Sequence, residues 1–183
     1  MNGPVIHLCG WPGTGKATIG TLLATRLGGR LIDNHLALDP ASALFERSDP
    51  RHVALRQTLR AAIDAAALTL PPEVPRIVTD ALSDEPEDAA LFAPTRALAR
   101  ARGAALHCIT FDISPEENRR RLCDPARASR AKLTDPKILD RLRANHRHLR
   151  PEGSVSLDVT GLDPAQAATA IRDALGLAET APT

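Results

Sequence analysis

Nine consecutive residues, Gly10-Trp11-Pro12-Gly13-Thr14-Gly15-Lys16-Ala17-Thr18, combine three glycines and a lysine at the spacing Gly-x4-Gly-Lys. The chemistry this suits is phosphate binding. Gly10, Gly13 and Gly15 let the backbone enter conformations closed to other residues, so that successive N–H groups turn toward one anion. Lys16 adds a mobile ammonium for the outer phosphates. Ala17 stands where a Ser or Thr hydroxyl is usual, and Thr18 is the next hydroxyl for phosphate or metal.

Two carboxylates come next. Asp33 closes the apolar run Arg30–Ile32, with His35 two residues on. It either orients an acceptor or makes an Asx turn, and His35 is either a substrate contact or ordinary surface. Asp80 ends the run Arg76-Ile77-Val78-Thr79. A carboxylate in that place supports Mg²⁺ through water or contacts the substrate, although Asp at a strand end is also ordinary turn chemistry. Arg56 and Arg60, one helical turn apart, are either an anion clamp or a solvated cationic face. Six cations between 119 and 132, among them Arg119, Arg127 and Arg130, make an Arg-rich lid over a phosphate or a basic helix face paired with acids. His7 and Cys9 share one face of an apolar run and read as core. His146 and His148 are two apart, so on a helix they cannot form a metal pair.

The elements that must hold these groups are legible. Apolar runs of strand length fall at 5–9, 30–33, 75–79, 104–111 and 154–159. Between them, Asp39-Pro40, Asp49-Pro50, Ser114-Pro115, Asp135-Pro136 and Asp163-Pro164 each place a capping side chain before a proline suited to a first helical turn. Ser114 to Glu117 matches a capping box. The acidic run Asp84 to Asp88 reads as another first turn. The phosphate-binding loop opens a helix that Gly28-Gly29 ends. Residues 40–70 read as a helical pair with Leu55, Leu59, Ile63, Ala66 and Leu70 inward, and the helix from 136 to 149 turns Ile138, Leu142 and Leu149 inward. Strands alternating with helices predict a three-layer α/β fold with a parallel sheet. Ligands then bind beyond the carboxyl ends of the strands, where Asp33 and Asp80 fall.

Composition bounds the function. The 183 residues suit one domain, and 23 basic against 22 acidic residues leave a net charge of +1. No global field favours nucleic acid or membrane, and three Phe, one Trp and no Tyr supply few stacking platforms. Three unpaired cysteines, no long apolar run and no leader-like start lead to the expectation of a soluble cytoplasmic protein, monomer or homodimer.

The loop resembles that of adenylate kinase and its relatives, where Gly-X-Pro-Gly-X-Gly-Lys-Gly-Thr is frequent, and the order of elements resembles shikimate kinase, chloramphenicol phosphotransferase and polynucleotide kinases. The resemblance implies a five-stranded sheet in the order 2-3-1-4-5, an acceptor-binding helical insertion at about 36–72 and a lid at about 119–135, all in a single domain over 1–183. It implies an ATP-dependent phosphotransferase with Mg²⁺ and a small hydroxyl- or phosphate-bearing acceptor. ATP would be held by Gly10, Gly13, Thr14, Gly15, Lys16, Ala17, Thr18 and Arg119. Lys16, Asp33, Arg127 and Arg130 would do the chemistry, and Asp33, His35, Arg56 and Asp80 would bind the acceptor. Metal would lean on Thr18 and Asp80. Asp80-Ala81-Leu82-Ser83 stands where shikimate kinases carry a glycine cluster, which argues against shikimate. Two rival readings stand beside this one: a polynucleotide 5′-hydroxyl kinase, and a nucleotide-binding regulatory ATPase without acceptor.

Overall fold

The structure, a computed structural model, describes residues 2–125 and 132–179. Five strands, β1 (Val5–Cys9), β2 (Arg30–Asp33), β3 (Arg76–Asp80), β4 (Leu106–Asp112) and β5 (Val155–Asp158), form one all-parallel sheet in the order β2-β3-β1-β4-β5. The expected order and parallel pairing are both present. β1 and β3 are buried along their whole length, as central strands covered on both faces must be, which is why they read as continuous apolar runs.

Side chains alternate between the faces of each strand. Ile6 and Leu8 pack on α1 (Lys16–Leu27) and α8 (Pro164–Ala174), against Ile19, Leu23, Ala167 and Ile171. Val5, Ile32 and Val78 face the opposite layer, where Ala67 of α3 (Pro50–Leu68) and Leu98 of α5 (Ala93–Ala101) cover them. Gly20 lets α1 approach the sheet, since a Cβ there would come within 2.9 Å of Leu31.

Helix starts follow the capping chemistry with one exception. Asp49, Ser114, Asp135 and Asp163 each accept a backbone N–H at the head of α3, α6 (Pro115–Leu122), α7 (Pro136–Asn145) and α8. The complete capping box lies at Asp163 and Gln166; Ser114 forms only its own half, because Glu117 turns to Arg120 and Arg121. The acidic run supplies Glu87 and Asp88 to the first turn of α4 (Pro86–Leu91). Asp39-Pro40 starts nothing. α2 (His35–Leu44) begins directly at the end of β2, where Asn34 O accepts the N–H groups of Ala37 and Leu38, and Pro40 lies inside it on the exposed side. His35 is therefore helical and not the end of a strand.

Two apolar stripes are partly rotated from expectation. On α3 the buried residues are His52 and Ala67; Leu55, Leu59 and Ile63 are half-buried, with Ile63 packed on the core as expected, while Ala66, and Leu70 beyond the helix end, are exposed, and the inner face includes Arg56 and Arg60 because it borders a polar cleft. On α7 the fully buried residue is Leu139 and Ile138 is 37% exposed, whereas Leu142 packs beside Leu139 and Leu149, past the helix, packs on Leu82 and Phe92, both inward as expected. That helix stops at Asn145, and the chain continues extended through His148, which bridges Ser83 in antiparallel fashion; Leu149 N–H donates to Leu82 O at 3.0 Å.

Candidate active site

The loops leaving β1 and β3 part to opposite faces of the sheet, and a cleft of about 810 Å³ opens above their carboxyl ends. The phosphate-binding loop forms one side. Gly13 and Gly15 have φ of 93° and 92°, the left-handed region, and Gly15 leads straight into α1. The first N–H to bond back along that helix is Ile19's, to Gly15 O at 2.9 Å, so the preceding N–H groups and the positive end of the helix dipole face the cleft. Lys16 Nζ spans the loop, donating to Gly10 O (2.6 Å) and Trp11 O (2.9 Å), and buried Thr14 donates to Trp11 O at 3.0 Å. Ala17 and Thr18 both line the cleft, Thr18 at its exposed rim.

A brace that the sequence did not announce holds the back of the loop. Fully buried Asn118 on α6 donates from Nδ2 to Pro12 O at 2.8 Å and accepts at Oδ1 from Arg143 of α7 at 3.0 Å. A Cβ on Gly13 would lie 2.7 Å from that Nδ2. Trp11 is clamped from the other side, its ring 4.1 Å from that of His148. Burial holds the His148 imidazole at a pKa of about 4, with Lys16 and Arg150 acting in the same direction.

Asp33 lies across the cleft. Its Oδ1 accepts from Thr79 Oγ1 at 2.9 Å and from His35 N at 3.3 Å, so it makes the Asx turn and lines the cleft at once. His35 Nδ1 contacts Asp39 Oδ1 at 2.6 Å, one turn along α2. Arg56 also faces the cleft and donates to Asn34 Oδ1 at 2.9 Å; burial depresses its pKa, against the pull of Asp80 and Asp88. Arg47 lines the same wall. Arg60 does not pair with Arg56 as a clamp. Its guanidinium is taken by Asp64 (3.0 Å) and Thr95 (3.0 Å), with Asp80 at 3.8 Å. Asp80 is 2% exposed, at the floor of the cleft, and its Oδ2 meets His7 Nε2 at 3.2 Å.

The cations expected in a lid divide. Arg119 lines neither this cleft nor its neighbour; it pairs with Asp140 of α7 at 2.8 Å. Arg121 pins the β5–α8 loop through Val159 O, Thr160 O and Leu162 O, and with Arg120 it holds the Glu117 carboxyl at a pKa of about 2. A second depression of about 750 Å³ runs from Gly13, Gly15 and Thr18 to that same loop. Lys132 lines both. Arg127 and Arg130 lie outside the described residues.

The donors suit Mg²⁺. Asp33 and Asp80 place hard carboxylate oxygens, of the kind Mg²⁺ takes, in the cleft beside the phosphate-binding loop, and no group of three or more His, Cys, Asp or Glu forms a metal cage among the described residues. Mg²⁺ characteristically takes one or two carboxylates and completes its shell with water and phosphate. Among the described residues no helix is long and apolar enough to cross a membrane.

Of the residues that sequence reasoning missed, Thr79 and Asn34 adjoin the two aspartates and were within reach of it. Arg47, Asn118, Arg143 and His148 carry no local signal.

A family model described as an AAA domain matches residues 5–149. No curated protein matches the chain in sequence. Among solved structures, the tunicamycin resistance protein of Deinococcus radiodurans is 20% identical, with 98% of this chain and 99% of that chain covered and a TM-score of 0.61. The APS kinase of Mycobacterium tuberculosis, solved with AMPPNP and APS, is 17% identical over 96% and 98%, with a TM-score of 0.60. A shikimate kinase of Bacteroides thetaiotaomicron is 15% identical over 95% and 99%, with a TM-score of 0.58. Likeness at these identities speaks to the fold, and the family model covers most of the chain. The chain belongs to the AAA domain family and has the fold of the P-loop small-molecule kinases.

Proposed function

We propose that the protein is an ATP-dependent phosphotransferase that moves the γ-phosphoryl group to a small hydroxyl- or phosphate-bearing acceptor. The observation that carries this reading is the single cleft shared by Lys16, the head of α1 and the Asp33 carboxylate. The N–H groups of residues 13–18 and the Lys16 ammonium hold the β- and γ-phosphates, with Thr18 on phosphate or metal. The nucleoside lies along the depression toward the β5–α8 loop. Asp33, steadied by Thr79, orients the acceptor oxygen and takes its proton as the O–P bond forms and the bond to the leaving ADP oxygen breaks. Arg56, with Arg47 on the same wall and His35 nearby, gives the acceptor its polar contacts; an anionic group there would relieve a half-buried guanidinium whose one hydrogen-bond partner among the described residues is an amide. Arg127 and Arg130 would neutralise charge on the transferring group, and Arg119 would reach nucleotide only after leaving Asp140. Bound Mg²⁺ would be supported by Asp80 and Thr18 and would supply neutralising charge at the phosphates.

The test is ADP release from Mg-ATP with pooled acceptors: nucleosides and their monophosphates, sugars and polyols, hydroxylated antibiotics, and 5′-hydroxyl oligonucleotides. Lys16→Ala and Asp33→Asn run beside the wild type. Release stimulated by one pool and lost in both variants is expected. Slow release that no pool changes, lost with Lys16 and kept in Asp33→Asn, would overturn the proposal in favour of an acceptor-free ATPase.

A further inference from the structure

His7 lies fully buried in the middle of β1, in the layer between the sheet and α3 and α5. The β1–β3 register places Cys9 beside Asp80 and His7 beside Val78, so His7 and Asp80 are diagonal neighbours on one face. The contact from Nε2 to Asp80 Oδ2 is 3.2 Å. Nδ1 is buried with no hydrogen-bond partner, and the ring leans on Phe92 with 4.8 Å between centroids. These facts choose the tautomer. A proton on Nε2 makes a hydrogen bond to the carboxylate and leaves only a lone pair unmatched at Nδ1. A proton on Nδ1 would bury an unsatisfied donor and set the Nε2 lone pair against a carboxylate oxygen. Arg60 approaches the same Oδ2 at 3.8 Å from α3, the helix that also carries Arg56.

We infer that His7 is a positioning residue: its Nε2–H fixes Oδ2 of Asp80 within the core, so that the carboxylate presents its remaining oxygen to the cleft in one orientation. This rests on the reading of Asp80 as the carboxylate that supports Mg²⁺ or acceptor. Arg60 reaches the same Oδ2 only at 3.8 Å because Asp64 holds its guanidinium at 3.0 Å, which leaves His7, at 3.2 Å, the nearer contact of that oxygen.

ATP binding is followed by Trp11 fluorescence at a series of Mg²⁺ concentrations in wild type, His7→Leu, His7→Gln, Asp80→Asn and the double variant His7→Leu/Asp80→Asn. Loss of a residue that orients a metal-supporting carboxylate characteristically costs about 10–100-fold in metal affinity. His7→Leu is expected to raise the Mg²⁺ needed for half-maximal binding by about that factor. His7→Gln, whose amide N–H reaches the place of Nε2, should restore most of it. In the Asp80→Asn background His7→Leu should add nothing, because a residue acting through another is silent once that other is gone. An equal effect of His7→Leu with and without the Asp80 carboxylate would overturn the inference, as would equal damage from Leu and Gln. If His7→Leu does not fold, the ring nitrogens of His7 in the wild type decide by ¹⁵N NMR: a protonated Nε2 supports the inference and a protonated Nδ1 refutes it. Asp80→Asn without effect would defeat the role given to Asp80 and the inference with it. Full harm from Asp80→Asn with none from His7→Leu would defeat the positioning alone.

Discussion

Acid should weaken this protein through one identifiable ring. His148 sits half-buried against Trp11, and its pKa is held at about 4 where an unfolded histidine titrates near 6.5. Loss of solvation is the main cause, with the cations Lys16, Arg150 and Arg143 adding to it and Asp112 opposing. Above pH 6.5 the ring is neutral in both folded and unfolded chains and costs nothing. Between 6.5 and about 4 the unfolded chain takes up a proton that the folded one refuses, so stability falls as pH falls through that window and the loss is complete below it. At about 1.4 kcal/mol per pH unit the full displacement corresponds to roughly 3 kcal/mol. Partial exposure of the ring reduces that to about 1–2 kcal/mol. For a domain of this size each kcal/mol moves Tm by about 2–4 °C. The assay compares thermal melts of wild type and His148→Phe from pH 7.5 to 4.5, since Phe keeps the contact with Trp11 and removes the titration. The difference between the two should open by about 2–8 °C toward acid, wild type falling faster. Parallel curves would refute the reasoning, and so would a gap that closes toward acid.

Other substitutions test other parts of the site. Gly13→Ala forces a side chain into the left-handed region and against Asn118 Nδ2, so ATP affinity read by Trp11 fluorescence should fall at least about tenfold while circular dichroism keeps the α/β signature. Arg56→Gln removes one of the two cations, Arg56 and Arg47, on the wall proposed to take the acceptor, and steady-state kinetics should show the acceptor KM raised about 10–100-fold with the ATP KM nearly unchanged. Pro40→Ala restores a donor inside α2 on its exposed side and should stabilise the protein by about 1 kcal/mol in urea melts.

The order of elements was legible because each strand and helix carries its own signal. Fully buried β1 and β3 show as unbroken apolar runs, and four of the five Asp-Pro or Ser-Pro pairs start helices because capping is a contact between near neighbours. The exception is instructive. Asp39-Pro40 has the same local chemistry, yet Asn34 opens α2 one turn earlier from the end of β2, and an exposed proline is tolerated inside it.

The sequence by itself determined the phosphate-binding loop, since its glycines, Lys16 and the following helix are contiguous and their spacing alone dictates where the N–H groups turn. It also determined that Asp33 and Asp80 end strands, and parallel strands present their carboxyl ends to one edge, so both had to reach the same cleft. Arg60 and Arg121 are taken by Asp64 and Glu117, each one turn away on the same helix and so legible as a spacing. Only the tertiary structure decided which other cations remain facing that cleft and which are consumed elsewhere. The loss of Arg119 to Asp140 and the meeting of Arg56 with an amide follow from tertiary packing alone. The same holds for His7. Its strand position made it core in the sequence, and only the register between β1 and β3 put an aspartate beside its Nε2. Contacts across a sheet depend on strand order and register, which are set by the packing of the whole chain and leave no mark in the residues on either side.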